Sequence, residues 1–361
     1  MNPRFPSFFK RALLATALLG LHISRLVDQH GQSRVLPVVT AFSIAMLLAL
    51  ILAVYMRAPA PLLFVLAALA GTMPSMPSMI RARWSQLFRG KPQLHTAFSL
   101  DTVLTEMAYI VGPPLAIGLS VSFFAEAGPL VAVGLLAVGV TAFLLQRQTE
   151  PKVVAGHASD GGSTLLIPGV RTIVLALLAM GVIGGAIDVA VVAFANAQGW
   201  PGAATFCLAA YAFGSLVAGL TFGAMRVSLA IEKQFLIGIL VTAFTGVLPI
   251  FAADVYVLSA TLFIAGISFA PTMVVVMKLG TIIIPPSRIT EGLTWMTTGI
   301  SIGVALGGML AGLVIDAWGA RAGFGVAIGA GIMMVVVVLV GLRTLEAASV
   351  AHVEPEFSPS P

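Results

Sequence analysis

Four acidic residues stand in stretches where water is scarce: Asp101 and Glu106 in "SLDTVLTEMAYIVGPP" (99–114), Asp188 in "AMGVIGGAIDVAVVAFANA" (179–197) and Glu291 in "RITEGLTWMTTGIS" (288–301). A carboxylate is costly at membrane depth and is a functional candidate there by default. Desolvation raises its pKa, so it can be held partly protonated and can load or release a proton when its surroundings change. On a helical wheel Asp101, Thr102, Thr105, Glu106 and Tyr109 share an arc of about 140°, opposite Leu and Val. Glu291, Thr294, Thr298 and Ser301 form a narrower stripe, and Trp295 within it is the aromatic placed to touch a bound molecule. Two plainer readings stand beside this one. Asp101 and Glu291 are close enough to helix starts to be cap or dipole partners, and Glu106 and Asp188 can make buried polar contacts between helices.

A second polar cluster, "SRLVDQHGQSRVL" (24–36), gathers Arg25, Asp28, His30 and Arg34 around Gly31 in a chain with only 9% charged residues. As residues alone they allow a carboxylate paired with a guanidinium beside a tight turn. They equally allow a solvated loop in which Arg25 and Arg34 serve only to set orientation.

The elements that position these groups are long apolar runs. With 59% hydrophobic residues among 361 and a mean hydropathy of +1.05, the chain lies far outside soluble composition. Crossing the hydrocarbon takes about 20 apolar residues per helix. Such runs fall at 12–24, 35–56, 60–80, 95–122, 128–145, 171–194, 203–225, 235–252, 255–277, 290–315 and 320–342, which predicts an all-α polytopic membrane protein of about eleven spans. The runs are unbroken rather than alternating, which excludes a β-barrel.

Lys and Arg mark the cytoplasmic side. One set of alternating loops carries Arg25, Arg34, Arg81, Arg83, Arg89, Lys91, Arg147, Lys152, Arg171, Arg226, Lys233, Lys278, Arg288 and Arg343; the other carries only Arg57 and Arg321. The 24–36 loop and the C-terminus are therefore expected in the cytoplasm, in a bacterial-type inner membrane. The net charge of +5 reflects this bias, with no clustered basic face for nucleic acid. Arg4, Lys10 and Arg11 fall on the disfavoured side, next to a first span that is short. A cleaved signal peptide would account for them, but no small-x-small site follows.

The longest hydrophilic interruption, 146–170, reads as a cytoplasmic linker between a five-helix bundle (1–145) and a six-helix bundle (171–345), with a disordered cytoplasmic tail at 346–361. The two parts echo each other weakly: 96–120 opens polar and acidic and ends in Gly and Pro, and 288–312 is read as following the same pattern.

These residues carry a resemblance to the major facilitator superfamily of secondary transporters. "RLVDQHGQSRVL" resembles its Gly-x-Leu-Ala-Asp-Arg-x-Gly-x-(Arg/Lys)-Arg signature at Asp28, Gly31 and Arg34, with Ser24 and Gln29 departing from it. "YIVGPPLAIG" (109–118) resembles the Gly-Pro motif of drug-exporting branches, whereas the Arg-x-x-Gln-Gly motif expected in "FVLAALAGTMPSMPSMIRARW" (64–84) is absent. The resemblance implies two pseudo-symmetric bundles rocking about a midplane site, with the first family helix missing from this sequence. It implies that Asp28 sits against the start of the helix near residues 289–292, that Arg34 holds the carboxylate, and that Gly31 supplies the turn. Gly112, Pro113, Pro114, Pro271, Gly303 and Gly307 would let helices bend or slide, although tight packing explains them equally. Because a missing helix would open one cavity wall to lipid, the sequence is expected to begin downstream of the natural start or to be a truncated copy, a true eleven-helix protein being the alternative.

The expected activity is proton-coupled efflux of a small organic or amphipathic solute by a monomeric carrier. The alternative is a truncated, non-transporting membrane protein, or a membrane-embedded enzyme or subunit. No catalytic constellation, metal site or cofactor motif is found: Cys207 is the sole cysteine, the five histidines lack ligand spacing, and no phosphate loop is present.

Overall fold

The computed structural model describes residues 23–73, 75–151, 163–225 and 227–353. Described from residue 23, α1 runs to 30. It is followed by α2 (Gln32–Tyr55), α3 (Ala60–Ala70), α4 (Met76–Leu87), α5 (Gln93–Ser122), α6 (Ala127–Leu145), α7 (Pro168–Ala197), α8 (Ala203–Ala224), α9 (Ile231–Thr245), α10 (Val255–Ile283), α11 (Ile289–Trp318) and α12 (Gly323–Val353). No strand occurs among the described residues. The protein is an all-α, multi-pass membrane protein, since a chain in hydrocarbon must satisfy its backbone internally.

Among the described residues eight helices are long and apolar enough to cross a membrane, rather than the eleven expected. The 12–24 run lies almost entirely outside the described residues. The 60–80 run is not one helix. It breaks after Ala70, where Gly71 ends α3 and Pro74 follows, and α4 then carries Arg81 and Arg83, expected in a loop, as buried helical residues. The linker is partly ordered: short 3₁₀ turns at Arg147–Thr149 and Thr164–Leu166 flank 152–162, which lies outside the described residues. At the C-terminus, the first part of the expected tail, 346–353, is the end of α12.

The chain divides into two compact units. One comprises Met1–Leu87, Val111–Gly161 and Ser287–Thr294; the other comprises Phe88–Ile110, Gly162–Pro286 and Trp295–Pro361. In the first, Val27, Leu36 and Met79 form a buried apolar cluster joined by Ile23, Val35, Met76, Phe143 and Leu144, which ties α1, α2, α4 and α6 together. In the second, α10 packs on α8 and α9, and α12 on α7 and α9. Lipid tails are as apolar as leucine, so these helices cannot be held by the hydrophobic effect and rely on close approach and polar contacts. Hydroxyls supply the polar part: Thr242 faces Thr272 at 3.4 Å and Thr245 faces Ser268 at 3.4 Å between α9 and α10.

Glycines supply the close approach between α7 and α11. A methyl at Gly181 would collide with the Ile300 carbonyl, one at Gly185 with that of Val304, one at Gly303 with that of Leu178, and one at Gly307 with that of Val182. Gly112, singled out with them from sequence, has open space around it, so close packing does not account for that glycine. Gly185→Val should therefore cost about 1–3 kcal/mol through overpacking and lower the unfolding temperature in detergent. Gly112→Ala, in a helix interior with room for the methyl, should leave the unfolding temperature unchanged or raise it, with stability gaining at most about 1 kcal/mol.

Candidate functional site

The polar cluster at 24–36 does not end in a solvated loop. α1 stops at a single residue, Gly31, whose N–H donates to the Val27 carbonyl at 2.8 Å and whose φ of +89° lies in the region that side chains with a Cβ disfavour. The turn carries the chain straight into α2, leaving one face of α1 free to meet the N-terminal turn of α11 within the first unit.

The meeting is a ladder of three polar rungs. Ser24 Oγ lies 2.8 Å from Thr294 Oγ1; Arg25 Nη2 donates to Glu291 Oε1 at 2.9 Å; and the Asp28 carboxylate accepts the backbone N–H groups of Thr290 and Glu291 at 3.3 and 2.9 Å. Residues 24, 25 and 28 on one helix meet 294, 291 and 290 on the other, so the two run antiparallel. Asp28 occupies the place where four backbone N–H groups lack helical partners and the helix dipole is positive. Glu291, only 1% exposed, is gripped from the other side as well, because Arg288 donates to its Oε2 at 2.8 and 3.1 Å.

Burial and hydrogen bonding pull the Asp28 carboxyl in opposite directions, and burial wins. Desolvation, with a smaller push from Glu291, outweighs the hydrogen bonds from Thr290 and Glu291 and raises its pKa from 3.8 to about 7. The group is thus poised to change charge near neutrality.

Several sequence expectations are relocated. Glu291 and Thr294, read as cavity-lining, are instead buried in the clasp. Arg34, expected to hold Asp28, is exposed on the first turn of α2 and lines a hollow there, while the Asp28 carboxylate is held by the N–H groups of Thr290 and Glu291 instead. Trp295 donates its Nε1–H to Ser163 Oγ at 2.9 Å, and so holds the end of the linker. Thr298 is half-buried, and Asp188, on α7, is exposed and makes no ion pair or hydrogen bond with any described residue. Asp101 is buried on α5. Side chains of Glu106, Tyr109, Pro113 and Pro114 lie outside the described part of the structure, although their backbone is helical within α5.

Sequence reasoning missed two residues. Arg83 is 3% exposed, lies 3.6 Å over the Phe143 ring, and donates to Gln32 Oε1 (2.7 Å), the carbonyls of Phe143 (2.9 Å) and Gln146 (2.8 Å), and Thr149 Oγ1 (3.1 Å). It caps the carbonyl end of α6 and fastens the start of the linker. The signal was present in the helical spacing of Met76, Met79, Ile80 and Arg83, beyond Gly71, which ends α3. Lys278, counted as a loop cation, is half-buried inside α10, which continues to Ile283.

No family model matches the sequence, and no characterised relative is found by sequence comparison. The fold is more telling: 123 solved chains match it. The fucose:proton symporter of E. coli superposes with a TM-score of 0.69 at 14% identity, covering 94% of this chain and 92% of that one. This is the major facilitator fold. The human organic anion transporter MFSD10 shares it at TM-score 0.64 and 14% identity, over 94% of this chain and 85% of that chain. A bacterial homologue of the iron transporter ferroportin, in an outward-facing state, does so at 0.64 and 16%, over 93% and 89%. At these identities the major facilitator fold is what is shared, and the chemistry rests on this chain's own residues.

Proposed function

We propose that this chain is a secondary carrier of the major facilitator superfamily that moves a small organic or amphipathic solute across the membrane by alternating access, with efflux driven by a proton gradient. The observation that supports it most is the Ser24, Arg25 and Asp28 ladder on the start of α11. A gate must open and close, and contacts made of hydrogen bonds and ion pairs can be exchanged for water at little net free energy, whereas buried apolar packing cannot. In a chain with 9% charged residues, three consecutive polar rungs between segments more than 260 positions apart are concentrated where such a gate would sit. The symporter and transporter structures that share the fold fit a carrier of this general kind.

Proton coupling is assigned to the acidic groups in the helices. Asp188 on α7 lacks a described partner that would explain its presence structurally, and Glu106 and Asp101 share a face of α5 by spacing. The reading is tested in proteoliposomes loaded with candidate lipophilic cations, organic anions and sugars. The wild type should expel at least one of them in proportion to an imposed pH gradient. Asp188→Asn or Glu106→Gln, whose amides mimic the protonated acid, should keep solute exchange across a balanced membrane and lose the response to the gradient. If both variants still respond fully, the coupling group lies elsewhere; if no solute moves under any gradient, the carrier reading itself is wrong.

A further inference from the structure

Arg34 belongs to the motif that sequence singles out, yet it does not touch Asp28. It opens instead onto a hollow of about 470 Å³ in the first unit, lined by His30, Gly31, Ser33, Arg34, Arg147 and Glu150. Arg34 and Arg147 are both exposed, and neither forms an ion pair with any described residue. The His30 Nδ1 is spoken for by the Leu26 carbonyl at 3.2 Å, which leaves its other ring nitrogen available. One carboxylate is already drawn in: Glu150 Oε1 accepts the Ser33 backbone N–H at 2.8 Å, and Glu150 also interacts electrostatically with Arg83, whose Nη2 is buried without a hydrogen-bond partner. Three guanidiniums are thus answered by a single carboxylate. α2 begins at Gly31 with no side-chain cap and no acid in its first turn. The imbalance leaves a concave, water-facing region of positive potential with two forked donors unused, the geometry that suits the oxygens of a phosphate.

We propose that this hollow binds a phosphate group, held by Arg34 and Arg147 with His30 at its edge, and that the phosphate competes with Glu150 for the start of α2. The same turn, Asp28 to Gln32, carries the clasp residue Asp28 on one side and the Arg83 contact to Gln32 on the other, so occupancy bears on how firmly the linker start is fastened. The inference goes beyond the carrier reading and does not depend on it.

The test uses the full-length chain purified in detergent and, separately, in lipid nanodiscs. Inorganic phosphate, against chloride at matched ionic strength, should raise the unfolding temperature in a saturable way, and nanodiscs of phosphatidylglycerol should do so relative to phosphatidylcholine if a lipid headgroup is the source. A response to phosphate in detergent identifies a free phosphate; a response only to phosphatidylglycerol identifies the headgroup. In Arg34→Gln/Arg147→Gln, two exposed positions at which folding should be unaffected, binding should weaken by at least about tenfold, the loss expected for removing charge-assisted contacts. Glu150→Gln, which removes the competing charge, should tighten it. Absence of any phosphate or phosphatidylglycerol effect on the wild type overturns the proposal, as does an effect that the double arginine variant leaves intact.

Discussion

Flux should stop when Ser24→Cys and Thr294→Cys are oxidised to a disulfide, and should return on reduction. The two hydroxyls lie 2.8 Å apart, so thiols in their places start side by side, and formation of the cross-link is itself checked by the loss of free thiol on oxidation. The lone native thiol, Cys207, is buried beside Ser259 and can be replaced by serine to leave a clean background. A covalent bond in place of the first rung holds the start of α11 on α1 whatever happens at the Arg25 and Asp28 rungs, so a carrier that must open there completes no cycle. The single-cysteine variants should transport normally under the same oxidant. Full flux in the oxidised, cross-linked double variant would show that the clasp is static, and the proposed gate would fall with it.

The clasp should also tighten as the pH falls, which is the reverse of what a bare carboxylate-to-helix attraction suggests. The sign follows from the Asp28 carboxyl, whose pKa is about 7 when clasped and near 3.8 when open to water. Closing therefore takes up a proton. The favourable contribution is full below about pH 4, is lost as the pH rises through 7, and within that window shifts the closed-to-open ratio by up to about tenfold per pH unit. Arg25, Arg288 and Glu291 surround the site, but both arginines are already occupied by Glu291. Distances between spin labels on α1 and on the first turn of α11, measured from pH 8 to pH 5, should shift toward the short population. In Asp28→Asn, neutral throughout, that pH dependence should vanish. A wild type whose distances do not change with pH would remove Asp28 from any role in proton linkage.

The sequence made some of this legible and hid the rest for identifiable reasons. The apolar runs predicted an all-α membrane fold because hydrocarbon admits little else, and α7, α8, α10 and α11 begin within a few residues of where periodicity and polar breaks placed them, α10 alone running on by six residues past its expected end. The 60–80 run misled because apolar content continues past Gly71, where α3 ends, and hydropathy does not register a helix end. The contact of Asp28 with the start of α11 was legible only through the family resemblance. Nothing local to Arg25 says that its partner lies 266 positions away, and Glu291, judged by its own helix, read as a cavity residue or as a partner of its own helix start. Arg34 matched the motif by type, yet its side chain is set by the first turn of α2. Arg83 was counted with the loop charges because a buried arginine is rare, and only the carbonyl end of α6 explains it.

The glycine seam between α7 and α11 has a mechanical consequence. Where side chains interlock, a helix can move only by jumping a whole turn, lifting each knob out of its hole. Here backbone lies on backbone at Gly181, Gly185, Gly303 and Gly307, and at those four points no side chain stands between the helices. Such a seam behaves as a bearing: α11 can roll or creep along α7 by fractions of a turn with the contact area nearly constant, and a tug applied at its first turn can reach the far end of the helix without waiting for the packing to come apart.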